Sequence, residues 1–164
     1  MSHTPEAFIK LVSHPLKFRF FLLSKLPAAY FSGVRVKKIT ADHCEVTIPY
    51  KWFSRNPFRS TYFACLSMAA EMSTGALSMA HLYKRNPAVS MLVVKVESEY
   101  FKKATGRSIF VCADGAMIRQ AIEESVTTGE SRTVRVKSTG KNEAGEIVAE
   151  FYITWSFKAR TPKS

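Results

Sequence analysis

The chain has 164 residues, 46% hydrophobic and 23% charged, which is enough apolar material for one domain with a real core and too much for a disordered segment. Its 24 Lys and Arg against 13 Asp and Glu leave a net charge of +11, which favours anionic partners over cationic ones. Cys44, Cys65 and Cys112 are odd in number and lack metal-type spacing, so a disulfide framework or zinc site is excluded and a reduced, cytoplasmic protein is expected.

At the start, Thr4, Pro5 and Glu6 interrupt any basic-then-apolar leader and read instead as a helix start: a cap, a proline in the first turn and an early acid. That helix runs through Phe8, Ile9, Leu11 and Val12. Pro15 opens a second, through Phe18, Phe21, Leu22 and Leu23, ending near Pro27. Lys17, Arg19 and Lys25 would suit an interfacial membrane helix, although packing against the main domain is the commoner fate of such a segment.

From Gly33 the hydrophobic period changes to two. Val34 and Val36, then Cys44, Val46, Ile48 and Tyr50, predict a hairpin turning at Thr40-Ala41-Asp42, with one wet face. A polar loop, Lys51 to Ser60, leads into the apolar stretch from Thr61 to Tyr83. That stretch is long enough to span a bilayer, but Glu71 at its centre, His81 and five Ser or Thr hydroxyls argue for a buried helix, so no transmembrane span is expected. Beyond Asn86-Pro87, Leu92, Val94, Val96 and Tyr100 predict a strand ending at Lys102-Lys103. A turn at Ala104-Thr105-Gly106 returns it through Ile109, Val111 and Ala113. Met117 to Glu124 is a short helical interruption, Val134 and Val136 lie on the next strand, and Ile147, Ala149, Phe151, Ile153, Trp155 and Phe157 face one way on the last.

One helix apolar nearly all round and about six one-sided strands predict an α+β domain in which an antiparallel sheet curls around that helix. The chain divides into an N-terminal helical extension (1–32), the main domain (33–158) and a flexible basic tail (159–164).

Ser67, Glu71, Thr74, Ser78 and His81 recur at spacings of four and three, a narrow polar line along the helix that reads as a seam facing a partner subunit or an enclosed pocket. A carboxylate there costs several kcal/mol, roughly, unless it is satisfied. Glu71 therefore either accepts hydrogen bonds from Ser67, Thr74 or backbone groups, or is kept for chemistry. His81, ten residues on at a rise of about 1.5 Å, is roughly 15 Å away, and no metal site or Ser-His-acid triad is expected.

Asn56 precedes Glu71 by fifteen positions. A hairpin, a loop with Asn, a long buried helix with an acid, then an antiparallel run resembles the hotdog fold, and more narrowly the phenylacetyl-CoA type of acyl-CoA thioesterase and the related DUF4442 family. That family's pattern is Asn, a His-Gly-Gly step, then an acid fifteen residues after the Asn, and the likeness covers roughly Gly33 to Lys158. This chain departs from it at Tyr62-Phe63-Ala64, which stand where the enzymes carry His-Gly-Gly. Phe63 keeps a backbone N–H to offer an oxyanion, but its ring must point away from the acyl group.

The resemblance implies hydrolysis of an acyl-CoA-like thioester. Glu71 would be general base or nucleophile, Asn56 would orient the water or carbonyl, and the Phe63 amide would hold the oxyanion, with Tyr62 in the histidine's place. Ser90, in Pro87-Ala88-Val89-Ser90, would help place the water from a second subunit, since such enzymes are dimers or tetramers. Lys102, Lys103 and Arg107 would meet CoA phosphates, with the CoA arriving as part of the substrate and no separate cofactor. The rival reading is a non-catalytic module whose apolar slot, shaped by Phe63, Met68, Met72 and Met79, holds an acyl chain or other lipid. A hydratase of the same fold would need a His-plus-acid pairing that is not visible. Nucleic acid is not the expected partner, because the positive charge is scattered and no recognition helix or aromatic platform accompanies it.

Overall fold

The computed structural model describes residues 5–160. Three short helices come first: α1 (Glu6–Ser13), α2 (Pro15–Lys25) and α3 (Pro27–Ser32). Pro15 and Pro27 each sit in a first turn, where their missing N–H costs nothing. Pro27 thus opens a third helix that the sequence reading treats only as the end of the second. The Thr4 cap lies outside the described residues. Gly33 ends α3 at φ +83°, in the left-handed region that glycine enters freely.

The hairpin follows as β1 (Arg35–Ile39) and β2 (Cys44–Ile48), then the loop, α4 (Phe63–Leu82), β3 (Val89–Tyr100), β4 (Ser108–Cys112), α5 (Gly115–Thr128), β5 (Arg132–Asn142) and β6 (Ile147–Ala159). The six strands form one antiparallel sheet in the order β1-β2-β4-β5-β6-β3. Its inner face carries Val46, Ile48, Phe110, Val136, Phe151, Ile153, Trp155 and Phe157, all buried, with Leu77, Ala69, Ala70 and Ala80 of α4 in the same core. A helix apolar on every side needs such a wrapping, since no face of it can be left to water.

Four expectations need correction. β3 does not return into β4; it pairs with β6 at the far edge, and β4 lies between β2 and β5. β4 buries Ser108, Phe110 and Cys112, while Ile109 and Val111 face outward, because the Phe110 ring fills the space left by Gly140, where a Cβ would come within 2.4 Å of it. The even alternation along β3 is broken by a bulge between Val93 and Lys95, so Leu92, opposite Ser156, and Val96, opposite Ile153, lie on opposite faces of the sheet, both half exposed or more at its edge. The interruption at Met117 to Glu124 is a four-turn helix, α5. Its first residue, Gly115, lies so close to Asp42 and Ala41 that no side chain would fit.

The N-terminal helices share the core of the main domain through Phe8, Val12, Phe18, Leu22 and Ala29. At the other end, Ala159 completes β6 and the Arg160 N–H donates to Ala88 O at 2.8 Å, so these two residues are held by β3's start; the rest of the expected tail, 161–164, lies outside the described residues. The three cysteines are buried free thiols, and burial pushes Cys112 up to about 12. No described helix is long and apolar enough to cross a membrane.

Candidate active site

Four members of the polar line on α4 satisfy themselves. The hydroxyls of Ser67, Thr74 and Ser78 donate to the helix carbonyls of Phe63, Glu71 and Thr74 at 3.0, 3.0 and 2.9 Å. Thr74 Oγ1 also accepts from Trp155 Nε1 at 3.0 Å, and His81 Nε2 lies 2.7 Å from Ala41 O. Glu71 is different. None of Ser67, Thr74 or any other described residue donates a hydrogen bond to its carboxylate, no ion pair reaches it, and burial raises its pKa above the ordinary glutamate value.

Glu71 faces a cavity of about 340 Å³ between α4 and the N-terminal helices. Phe8, Phe18 and Phe21 roof it, Met72, Met79 and Met91 line it, and Lys25 stands at the wall without reaching the acid. Gly75, one turn on, gives the carboxylate its room: a Cβ there would lie 2.9 Å from Oε1. The acid is thus held in an apolar slot, accessible to a small molecule, with no neighbour among the described residues to neutralise it.

A second and larger cavity, about 740 Å³, opens at the start of α4. Asn56, Tyr62, Phe63, Leu66 and Phe101 line it, together with Arg55, Lys102 and Lys103. Tyr62 is the residue before the helix and offers no side-chain cap; its carbonyl accepts from the Cys65 and Leu66 amides at 2.9 and 3.3 Å, which leaves the Phe63 N–H to another partner. Both rings are about half exposed and lie 5.0 Å apart, edge to face. Asn56 is occupied: its Oδ1 accepts from the amides of Phe58 and Ser60 at 3.0 and 3.2 Å, and its Nδ2 lies 3.1 Å from Ser60 Oγ. These bonds shape the tight loop in which Arg59 takes φ +58°.

Within one chain, then, Asn56, Tyr62 and Phe63 share a cavity and Glu71 lines another. Eight residues separate Phe63 from Glu71, roughly 12 Å along the axis at about 1.5 Å per residue, too far for both to serve one carbonyl. Ser90 lines neither cavity; it pairs with Lys158 in register, on the outer face, and its hydroxyl donates to Lys158 O at 3.1 Å. Lys102 and Lys103 sit together, with Lys102 bonded to Glu146 at 2.6 Å, whereas Arg107 lies apart in a groove with Arg35, Lys37 and Lys51. Sequence reasoning missed the part played by Phe8, Phe18, Phe21 and Met91 in enclosing Glu71. The aromatic spacing of the second helix was visible, but what it covers was not. Among the described residues no cluster of three metal-ligating side chains occurs.

Solved structures share this architecture. A probable thioesterase of unknown function from Pseudomonas aeruginosa superposes with a TM-score of 0.75 at 21% identity, over 89% of this chain and 97% of its own. A protein of unknown function from Chlorobaculum tepidum gives 0.75 at 18%, over 97% of this chain and 99% of its own. A thioesterase from Haemophilus influenzae gives 0.61 at 12%, over 84% and 86%. At these identities the likeness is one of fold, the hotdog fold, as the sheet curled around α4 implies. No curated protein matches the sequence. Residues 17–157 match the model of DUF4442, a domain of unknown function, a span that reaches back into α2 and takes in most of the chain, which therefore belongs to the DUF4442 family.

Proposed function

We propose that the protein hydrolyses an acyl thioester, with Glu71 as general base. The observation that carries this reading is the Glu71 carboxylate itself, unpartnered among the described residues and facing an apolar cavity large enough for an acyl chain. A structural acid would have acquired donors; this one has been kept free of them. The thioesterase named among the fold's relatives adds weight.

In the proposed reaction Glu71 takes a proton from water, whose oxygen bonds to the thioester carbon. The carbonyl oxygen becomes an oxyanion that accepts a hydrogen bond from the Phe63 N–H at the start of a helix. The C–S bond then breaks, the sulfur takes the proton from Glu71, and a carboxylic acid and a free thiol leave. Since one chain sets these groups roughly 12 Å apart, a second copy is required, so that Glu71 of one chain meets the helix start of the other. β3 suits that contact. It is an edge strand of 12 residues with Leu92, Val94 and Val96 about half exposed or more. Ser90, on the same edge strand, would approach the partner's site. Lys102 and Lys103 at the larger cavity would hold CoA phosphates.

The lipid-binding reading is favoured by a single observation, that both amide atoms of Asn56 are engaged within its own loop. Purified protein assayed against short, medium and aromatic acyl-CoAs, beside Glu71→Gln, separates the two. The expected result is turnover that falls by about 100-fold or more in the variant. Equal rates remove Glu71 from the mechanism, and co-purified lipid without any turnover assigns the cavity to binding alone.

A further inference from the structure

The outer side of the N-terminal helices is apolar and uncovered. α2 carries apolar side chains on two sides: Phe18 and Leu22 are buried and Phe21 is half-buried, while Leu16, Phe20 and Leu23, at spacings of four and three, stand 64%, 70% and 40% exposed. A contiguous set of large apolar side chains left uncovered marks an interaction surface. The uncovered side continues without a break. Leu16, Phe20 and Leu23 share a shallow groove with Tyr30, the Tyr30 and Phe31 rings lie 5.3 Å apart, Phe31 and Phe53 6.2 Å, and Phe53 and Trp52 6.4 Å. Trp52 ends the run at 76% exposed.

The charge around this face has one sign. Residues 7–41 and 46–70, which carry the whole patch, contain ten Lys and Arg and no Asp or Glu. Among the described residues only Lys37 of these ten makes an ion pair, with Glu45 at 3.8 Å. Arg19 lines the groove of Leu16, Phe20, Leu23 and Tyr30, Lys17 follows Leu16 in the chain, and Lys51, next to Trp52, connects the run to the basic groove of Arg35, Lys37 and Arg107.

We propose that this face docks the protein on the surface of an anionic lipid bilayer. A second copy is the wrong occupant, because a two-fold contact sets a patch against itself and would bring unpaired cations of both chains together. Nucleic acid would suit the charge but not Leu16, Phe20 and Leu23. Leucine, phenylalanine and an exposed tryptophan surrounded by unpaired lysine and arginine match a headgroup layer above an acyl layer. The same helix, α2, roofs the Glu71 cavity with Phe18 and Phe21, so docking would set that cavity about one helix diameter, roughly 10 Å, from the lipid chains. The proposal goes beyond thioester hydrolysis and holds whether or not Glu71 is a base.

The test is flotation of the full chain with vesicles of phosphatidylcholine alone and of phosphatidylcholine mixed equally with phosphatidylglycerol. The protein is expected to float with the anionic vesicles, to be released by high salt, and to stay behind with the neutral ones. Trp155 is buried and already hydrogen-bonded, so a blue shift of tryptophan emission on binding reports Trp52. Phe20→Ser with Trp52→Ser, and separately Lys17→Glu with Lys51→Glu, alter exposed side chains only and should keep the circular dichroism of the wild type. Each pair is expected to weaken vesicle binding by about tenfold or more. Failure of the wild type to float at low salt overturns the proposal. So does equal flotation of folded variants, or burial of Trp52 by self-association or by an acidic protein in place of lipid.

Discussion

The Glu71 carboxylate rests over Gly75, one turn further along α4, where a Cβ would come within 2.9 Å of Oε1 and 3.4 Å of the Trp155 ring. The acid's position therefore depends on a missing methyl group. Gly75→Ala should push the flexible end of Glu71 aside at little cost in stability, because alanine's better helix propensity, about 1 kcal/mol, offsets the crowding. Hydrolysis should fall by about tenfold or more, since a general base displaced by even an ångström loses its water. Thermal melts beside acyl-CoA kinetics check this; an unchanged rate would mean that the carboxylate's place does not matter.

The pH dependence of stability follows from the same group. In the unfolded chain Glu71 ionises in the ordinary carboxylate range, whereas burial raises its pKa in the folded protein. Below the unfolded value both states are protonated and the buried position carries no charge penalty. As pH rises through the unfolded value towards the folded one, the unfolded chain releases its proton first and stability is lost; above the folded value the full penalty remains. Glu71→Gln should therefore be more stable than wild type at neutral pH, with the difference vanishing in acid. Urea unfolding of both proteins across pH would show it, and a difference independent of pH would contradict it. The rate should rise with pH along a limb centred above the usual glutamate range, because only the ionised acid takes a proton from water.

Trp155 ties the sheet to the helix beneath this acid. Its Nε1 donates to Thr74 Oγ1, which in turn donates to the Glu71 carbonyl. Trp155→Phe should cost about 1–3 kcal/mol through the lost bond and a small void. Denaturant titration measures the loss; a neutral substitution would mean that the bond adds nothing to the helix's hold.

The sheet and its helix were legible because their periods differ. β6 alternates over Phe151, Ile153, Trp155 and Phe157 with no interruption, and α4 is apolar at every turn. Strand order was not, since pairing β3 with β6 rather than β4 is decided by what each strand covers, and the Val94 bulge moves side chains between faces without a turn residue to announce it. Glu71 could be singled out because an acid in an apolar run is conspicuous in any register. Asn56 matched a spacing, yet the same residue type makes a tight loop, and its bonds to Phe58 and Ser60 are of that kind, which the spacing alone did not announce. The N-terminal helices hid their role for a different reason. Phe18 and Phe21 look like ordinary core residues until the cavity beneath them is seen to contain a carboxylate.

Assembly of the site from two chains can be tested by complementation. Tyr62 has ψ +133°, the extended conformation that a following proline requires, and Phe63 is the first helical residue, where proline is well tolerated. Phe63→Pro should therefore fold normally while removing the single N–H proposed to hold the oxyanion, and should lower hydrolysis by about 100-fold or more, as loss of such a donor does elsewhere. Glu71→Gln alone should be equally impaired. If each site takes its acid from one chain and its amide from the other, a mixed dimer of the two variants contains one doubly damaged site and one intact site. Unfolding and refolding the two together should then recover activity that neither shows alone, while refolding either by itself recovers none. Activity that stays absent in a mixture shown to contain mixed dimers would place both groups in one chain, against the roughly 12 Å between them on α4.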